Sequence, residues 1–252
     1  MKKKWTSIFL SLFLFTSIAI AQDMPPDAAK AYNEGNKLFK AGNLDGAVQQ
    51  YNEALKTSKD YRIYYQLGVT QKKLNKLTAA EDAFRTCIQN NPNFDIAYNG
   101  LGGTYFQDGK YAESVESFKK FEELSKQKQH KDQAREYIAR AYVKLSEQAK
   151  KDGNYNKAID NLNEALKYNP LDAAYIQLAS TYYETGEYDK AISATDQVIN
   201  MKSSGLKGAA YYYKGMSLKQ KQDIAKAREN FELAKRDAQY KRLADYELNL
   251  MK

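Results

Sequence analysis

Histidine and cysteine often carry nucleophilic or acid–base chemistry, and this chain of 252 residues has one of each, His130 and Cys87. His130 stands in a polar stretch beside Lys131, so we expect a solvated surface residue. A Cys–His or Ser–His–Asp arrangement would need a nucleophile held beside it by a rigid shell, and nothing in the sequence indicates one. We therefore predict that the protein is not an enzyme.

Metal and phosphate sites have equally little support. One His with one Cys cannot supply the paired spacing of a transition-metal site, and the acidic residues are dispersed rather than clustered as a calcium site requires. The glycine-rich segment 100–103 resembles a phosphate-binding loop, but it lies within a predicted helix. We predict no metal and no cofactor, and we interpret Cys87 as a buried packing residue.

The elements that would position any site follow a pattern that returns about every 34 residues. Small residues recur at places 8, 20 and 27 of each unit, and large ones at places 4, 7, 11 and 24. Place 8 holds Gly35, Gly68, Gly102, Ser146, Ala179 and Gly215. Place 24 holds Tyr51, Phe84, Phe118, Leu162, Thr195 and Phe231. This spacing predicts two closely packed antiparallel helices per unit, which stack on the next unit to bury their apolar faces.

A turn is predicted between the two helices, near place 15. Four units have glycine there, namely Gly42, Gly109, Gly153 and Gly186. Glycine adopts the left-handed conformation that commonly ends a helix. The other two units have Asn75, which tolerates this conformation, and Gln222, which fits it less well.

The pattern resembles the tetratricopeptide repeat, whose signature is W-x2-L-G-x2-Y, then A-x3-F, then P. The segments YYQLGVTQ…AEDAF…NP and YNGLGGTY…SVESF match it best. The resemblance implies an all-α fold, a right-handed α-solenoid of about six helix-turn-helix units with a C-terminal capping helix. The units are predicted at residues 28–61, 61–94, 95–128, 139–171, 172–205 and 208–241.

The N-terminus predicts a secretory signal peptide over residues 1–21. Three lysines precede an apolar run from Ile8 to Ile20, and the small-x-small pattern at Ala19 and Ala21 suits cleavage before Gln22. A retained membrane anchor is the alternative, although a run of about 13 residues is short for a span, which needs about 20. A short leader follows at 22–27. We expect export, with the periplasm as the destination; secretion and tethering by an uncleaved signal are the alternatives.

Charge disfavours one class of partner. Loss of the three lysines of residues 1–21 lowers the formal net charge from +8 to +5, and charges of both signs are interspersed. A nucleic-acid binder would show a clustered basic footprint, so we expect no nucleic acid as partner. After signal cleavage we also expect no stable membrane insertion.

The array has an irregularity in its middle. The segment 122–133 is polar, and from Ala134 onward apolar residues follow a helical spacing for about five turns. We expect the first helix of the fourth unit to reach back to about Lys131, with an insertion or extended helix at 129–138. The array is then either two halves, 28–128 and 139–241, or one uninterrupted superhelix.

The C-terminal segment predicts the capping helix that closes a repeat array. One face of the stretch from Tyr240 to Met251 is expected to carry Tyr240, Leu243, Ala244, Leu248 and Met251. Residues 242–252 form the end of this helix. Polar residues, among them Glu247, are expected mostly on the other faces.

In the repeat family the first helices of successive units line a concave groove, and their places 2, 5, 9, 12 and 13 face it. These and adjacent places give an aromatic and basic lining. The candidate residues are Tyr32, Asn36, Phe39, Lys40, Arg62, Tyr65, Lys72, Lys73, Asn99, Phe106, Arg140, Lys144, Tyr183, Tyr212 and Lys219. Aromatic area and cationic heads suit an acidic peptide. The alternative is that several of the tyrosines pack between units.

A chaperone-type carboxylate clamp is not predicted. Asn36 matches one clamp place, but Tyr32, Gln66 and Ile96 stand where the clamp needs Lys, Asn and Lys. We interpret the chain as an exported scaffold or adaptor that binds a protein or peptide through its groove. The alternative is a structural subunit or accessory of a cell-envelope assembly that uses its convex face or its ends.

Overall fold

The computed structural model describes residues 24–251, which form thirteen α-helices and no strand. The predicted signal peptide 1–21 lies outside the described residues. In order the helices are α1 Pro26–Lys40, α2 Leu44–Thr57, α3 Tyr61–Lys73, α4 Leu77–Asn90, α5 Asp95–Gln107, α6 Tyr111–Leu124, α7 Lys128–Lys151, α8 Tyr155–Tyr168, α9 Asp172–Glu184, α10 Tyr188–Asn200, α11 Lys207–Gln220, α12 Ile224–Ala234 and α13 Lys241–Leu250. The predicted all-α solenoid is confirmed as six helix pairs followed by a single helix.

Each pair is joined by a tight turn whose central residue has a positive φ. The four glycines have φ of 73° to 82°, Asn75 has 59° and Gln222 has 64°, which confirms the predicted left-handed positions. In the first turn the Asn43 amide donates to the Leu38 carbonyl at 2.9 Å, and the Gly42 amide to the Phe39 carbonyl at 3.1 Å. The same pair of bonds closes the other five turns, so each first helix ends in a Schellman motif.

The two helices of a pair meet where glycine lies against a ring. A methyl group built on Gly35 would lie 2.6 Å from the Tyr51 ring, and one on Gly68 would lie 2.9 Å from the Phe84 ring. Pairs three and six repeat this contact with Gly102 and Gly215. Only glycine allows this approach, which confirms the close packing predicted for places 8 and 24. Pairs four and five combine Ser or Ala at place 8 with a smaller Leu or Thr at place 24.

Cys87 lies within this packing and is fully buried. Burial raises the pKa of its thiol to about 12. A thiol that stays protonated at neutral pH is a poor nucleophile, so the interpretation of Cys87 as a packing residue is confirmed.

The third and fourth pairs are in direct contact. Helix α7 begins at Lys128, three residues before the predicted start, and only 125–127 separate it from α6. Phe118 and Phe121 of α6 pack with Ala134 and Ile138 of α7 in one buried cluster. The apolar core therefore runs on from α6 into α7. The division into two halves stays a prediction.

The expectation that His130 is a solvated surface residue is wrong. Its side chain is 28% exposed, its ring centroid lies 5.4 Å from that of Phe121, and its Nδ1 is 3.8 Å from an Asp95 carboxylate oxygen. The Ser125 hydroxyl donates to the same oxygen at 2.5 Å. The early start of α7 places His130 on its first turn, where it packs on the preceding pair.

The capping helix α13 is present, but its faces differ from the prediction. Ala244 and Leu248 are buried as expected, whereas Leu243 is 42% exposed. Glu247 is buried instead, and its carboxylate pairs with Lys219 at 2.6 Å. The face that meets α11 and α12 is therefore rotated toward Glu247, and a salt bridge forms part of the contact. Among residues 24–251 there is no helix long and apolar enough to cross a bilayer.

The turn geometry gives a stability prediction. A residue with a side chain in the left-handed conformation is strained by about 1–2 kcal/mol, and glycine relieves this strain at some cost in unfolded-chain entropy. Gln222→Gly should therefore raise the free energy of unfolding by about 1 kcal/mol. Asn75→Gly is the matched control, because Asn tolerates the same φ, and it should change stability by less than about 0.5 kcal/mol. Urea unfolding measures both; equal effects of the two substitutions would contradict the strain assigned to Gln222.

Candidate binding groove

The first helices of pairs two to four surround a cavity of about 730 Å³. Helix α3 contributes Tyr65, Val69, Lys72 and Lys73, and α5 contributes Asn99, Gly100, Gly103, Phe106 and Gln107. Tyr137 and Arg140 of α7 close the far side. Below the cavity lie the buried rings of Phe84 and Phe118, which come from the second helices.

A second cavity of about 480 Å³ continues the first along the array. Phe106 and Arg140 line both, so the two form one groove over α3, α5, α7 and α9. The second part is walled by Val143, Lys144 and Glu147 of α7, and by Leu171 and the start of α9.

Seven of the fifteen candidate residues line this groove. They are Tyr65, Lys72, Lys73, Asn99, Phe106, Arg140 and Lys144. The remaining eight lie outside both cavities, namely Tyr32, Asn36, Phe39, Lys40, Arg62, Tyr183, Tyr212 and Lys219. The structure therefore brings together the candidates of the middle of the array and separates those of its two ends.

At the N-terminal end the candidates contact other residues of the protein. The Tyr32 ring lies 6.0 Å from that of Tyr51, whose hydroxyl donates to the Asn36 side chain at 2.8 Å. Arg62 binds the Asp60 carboxylate with two nitrogens, the shorter distance being 2.6 Å. The Phe39 ring faces the Lys73 ammonium at 4.6 Å, and Lys40 is exposed on the last turn of α1.

At the C-terminal end the same holds. The Tyr212 ring lies 5.5 Å from Tyr240 and 5.9 Å from Phe231, within an aromatic cluster between α11, α12 and the capping helix. Lys219 is paired with Glu247, and Tyr183 accepts a hydrogen bond from Gln220 at 3.4 Å. Ligand contact by these residues stays a prediction.

Lys72 is the cation of the groove that has no carboxylate partner and is partly buried. Its ammonium lies against the backbone of α5, where a methyl group on Gly103 would overlap it. Burial lowers its pKa. Arg140 and Lys144, in contrast, pair with Glu136 at 2.5 Å and Glu147 at 2.8 Å. Within residues 24–251 no ion pair includes Lys72, so its charge is desolvated without compensation from a carboxylate.

Two amide side chains of α5, those of Asn99 and Gln107, also line the groove. Gln107 donates to the Asn75 side chain at 2.7 Å, which ties it to the turn after α3. The Asn99 amide, two turns earlier, has no hydrogen-bond partner among the described residues. Gly100 and Gly103 expose the backbone of α5 beside it, and a methyl group on Gly100 would overlap the Phe84 ring.

The sequence did not single out several residues of the groove. Tyr137 precedes the first place of the fourth unit, in the part of α7 that the repeat pattern does not cover, and it lines the groove. Ala173 and Gln177 occupy places 2 and 6 of the fifth unit, whereas the prediction for that unit had selected Tyr183. The helical spacing of Ala173 and Gln177 from the start of α9 was the signal that could have identified them.

Family models match the chain on both sides of the connection between α6 and α7. A model described as "TPR repeat" matches residues 35–75. Three models described as "Tetratricopeptide repeat" match residues 61–94 and 96–128, residues 149–202, and residues 176–241. Together these matches reach every one of the six helix pairs.

Curated relatives are similar over part of the chain. The protein "BBSome complex member BBS4" of Bos taurus is 29% identical over 161 residues, 64% of this chain and 28% of the relative. The protein "DnaJ homolog subfamily C member 7" of Homo sapiens is 29% identical over 131 residues, 50% of this chain and 26% of the relative. The chain thus spans about a quarter of the length of these relatives.

Solved structures are similar to this chain, and one of them aligns well enough to show the fold. The crystal structure of YrrB, "a TPR protein with an unusual peptide-binding site", aligns with a TM-score of 0.52 at 20% identity, over 78% of this chain and 96% of that one. A crystal structure of MamA aligns at 26% identity with a TM-score of 0.49, over 69% of this chain and 89% of that one. The likeness to YrrB concerns the fold.

The unpaired charge of Lys72 gives a pH-dependent prediction. Burial lowers its pKa in the folded state, so the cost of folding around the charge is fully present below that pKa and disappears as the pH rises past the ordinary value of 10.5. Lys72→Met should therefore be more stable than wild type at pH 7, and the difference in unfolding free energy should shrink toward pH 10.5. Urea unfolding at several pH values measures it.

The control for this measurement is Lys30→Met, which removes an exposed lysine of α1. Its difference from wild type should stay nearly constant over the same range of pH. A difference for Lys72→Met that is equally flat would show that the ammonium is not desolvated.

Proposed function

The chain belongs to the tetratricopeptide-repeat family, and we propose that it is an exported adaptor that binds another protein through the groove of α3, α5, α7 and α9. Repeats of this family are scaffolds for protein–protein interaction and are typically not catalytic. The observation that carries the proposal is the groove itself: two connected cavities of about 730 and 480 Å³ with aromatic walls and cationic groups.

The lining supports a peptide with acidic residues as the ligand. Tyr65 and Phe106 offer rigid apolar area, which binds at a low cost in conformational entropy. Lys72 and Lys73 have no ion pair within the described residues and are available to carboxylates. The acids of the second cavity are engaged, since Glu147 accepts from Lys144 and Gln177, and Asp172 accepts from Ser204. Charge complementarity to an acidic segment is therefore strongest at the α3 end.

The support for export comes only from the residue pattern of the N-terminal segment. The basic start, the short apolar run and the small residues before Gln22 are those of a cleaved signal peptide, and periplasmic delivery follows if the producing cell is a Gram-negative bacterium. The interaction proposed for the groove would then take place outside the cytoplasm.

A second candidate is a subunit of an envelope assembly held through the end of the array. Leu243, Tyr246 and Leu250 on α13 are 42%, 62% and 58% exposed and recur at helical spacing. This apolar stripe on the last helix favours that candidate, because such residues are usually covered in the working state of a protein.

Site-specific photo-crosslinking in the native cells separates the two candidates. Benzoylphenylalanine replaces Phe106 in the groove, Tyr155 on α8 or Tyr246 on α13; all three are aromatic, and Tyr155 lies outside both cavities. We expect a discrete protein adduct from position 106 and none from 155, and Arg140→Ala with Lys73→Ala should weaken that adduct. An adduct from position 246 alone, insensitive to the groove substitutions, would favour the envelope-subunit candidate and reject the groove.

The export proposal has its own measurement. Intact-mass analysis of the protein purified from its native cells should give a chain that begins at Gln22, recovered from the periplasmic fraction. A chain that retains residues 1–21 in the membrane fraction would favour the anchored alternative. A full-length chain in the cytoplasm would reject export.

A further inference from the structure

The four cationic side chains that line the groove differ in their partners. Of its four cations, Arg140 and Lys144 already pair with glutamates, and Lys73 is exposed over the Phe39 ring. Lys72 extends across to α5, against Gly103, and like Lys73 it has no carboxylate partner in the described part of the chain. Both lysines lie in the last turn of α3, so the helix dipole favours each of them and does not explain why only Lys72 reaches across to α5.

A hydrogen-bond donor lines the same cavity as this ammonium. Asn99 and Gly103 are four residues apart on α5 and so occupy one face, with Cβ positions about 5–6 Å apart. The Asn99 amide is unbonded within the described residues, whereas Gln107, two turns later, is engaged by Asn75. One free amide and one free ammonium thus lie a single helical turn apart.

Apolar walls stand beside these two groups. Tyr65 and Val69 on α3 face Phe106 on α5 across the cavity, and all three side chains are partly exposed to it. The Tyr65 ring is held from behind by Phe94, at 5.3 Å in an edge-to-face contact. A large apolar side chain that enters here would bury its surface without displacing a protein side chain.

From this arrangement we propose that the groove contains a subsite for one carboxylate next to one large apolar side chain. The Lys72 ammonium and the Asn99 amide bind the carboxylate, and Tyr65, Val69 and Phe106 hold the apolar group. This inference rests on the proposed function, of which it specifies the anchoring residue of the ligand. The subsite differs from the carboxylate clamp excluded above, because it uses places 12 and 5 of units two and three.

The positive charge available in the subsite favours a ligand group with a single negative charge. The Lys72 ammonium compensates one negative charge; Lys73, which also lacks a carboxylate partner, lies over the Phe39 ring, and Arg140 is paired with Glu136. A phosphate dianion would remain half compensated in a site with apolar walls, which is unfavourable. The carboxylate comes from either a peptide C-terminus or an Asp or Glu side chain, which share this chemistry.

Three small probes test the subsite on the purified full chain by NMR titration. N-acetylphenylalanine has a carboxylate and an apolar ring, and its carboxamide is the neutral isostere. N-acetyl-aspartyl-phenylalaninamide carries the carboxylate on a side chain. We expect N-acetylphenylalanine, the aspartyl probe or both to bind at least about tenfold more tightly than the neutral amide, as for a charge-assisted hydrogen bond. Which of the two acids binds identifies the source of the carboxylate.

Variants assign the preference to residues. In Lys72→Met the ratio of affinities should fall to about 1, while the neutral amide binds as before. Gly103→Ala keeps the charge but displaces the ammonium, so it should also reduce the ratio. Lys30→Met, which removes an exposed lysine far along the chain, should leave it unchanged. In wild type, the pH at which the Lys72 Cε signal titrates should rise with the acid probe bound and not with the amide.

The result that overturns the subsite is a carboxylate preference that survives Lys72→Met, or the absence of saturable binding by either acid at millimolar concentration. Displacement of the acids by an equal concentration of inorganic phosphate would also overturn the monoanion assignment. If the probes fail while position 106 still crosslinks a partner, the subsite is wrong and the groove proposal stands. If the probes behave as expected and no crosslink forms, the groove binds small acids and the adaptor proposal is wrong.

Discussion

The close approach of two helices within each pair is the contact on which the rest of the structure depends. In four pairs a glycine on the first helix faces an aromatic ring on the second, and a methyl group there would lie only 2.6 to 3.0 Å from that ring. A pair packed this way is thin, and it exposes on its outer sides the apolar residues that the next pair must cover. Stacking is therefore obligatory, and the first helices of successive pairs are brought side by side.

The six turns make this stacking regular. Each first helix ends with the same two backbone hydrogen bonds and a residue at positive φ, so each second helix departs in the same direction. Because the direction is repeated, the groove is a property of the array and not of any one pair. Gln222 shows that the geometry is imposed by the fold, since it adopts the left-handed conformation without the freedom of glycine.

The sequence predicted the repeating features, as well as the long α7 and the capping helix, but it missed contacts that depend on particular neighbours. The helix pairs, the positive-φ positions and the buried Cys87 all followed from a residue type recurring at a fixed place. The burial of His130 and the exposure of Leu243 did not, because each depends on a neighbour that the repeat does not specify. His130 is covered because α7 starts early, and Leu243 is uncovered because no further pair follows α13 in the described residues.

The same distinction explains which candidate residues share the groove. Lys219 and Glu247 are 28 residues apart and form an ion pair. Such contacts depend on which side chains meet where one helix pair packs on the next element. The spacing of residues within a unit does not predict them. At both ends of the array the aromatic and cationic candidates are engaged by such partners. In the middle, Lys72 and Lys73 have no such partner within the described residues, and α5 presents Asn99 and Gly103 where α11 carries Tyr212 and Met216 at the equivalent groove places.

Helix α5 contains three glycines in its interior, and each costs about 1 kcal/mol relative to alanine. Packing explains two of these glycines, because Gly102 accommodates the Phe118 ring and Gly100 accommodates the Phe84 ring. Gly103 meets no ring; the atoms near its missing side chain belong to the end of Lys72. The space it leaves therefore holds an ammonium group rather than a core contact, and this ties the architecture of the groove to the uncompensated charge of Lys72.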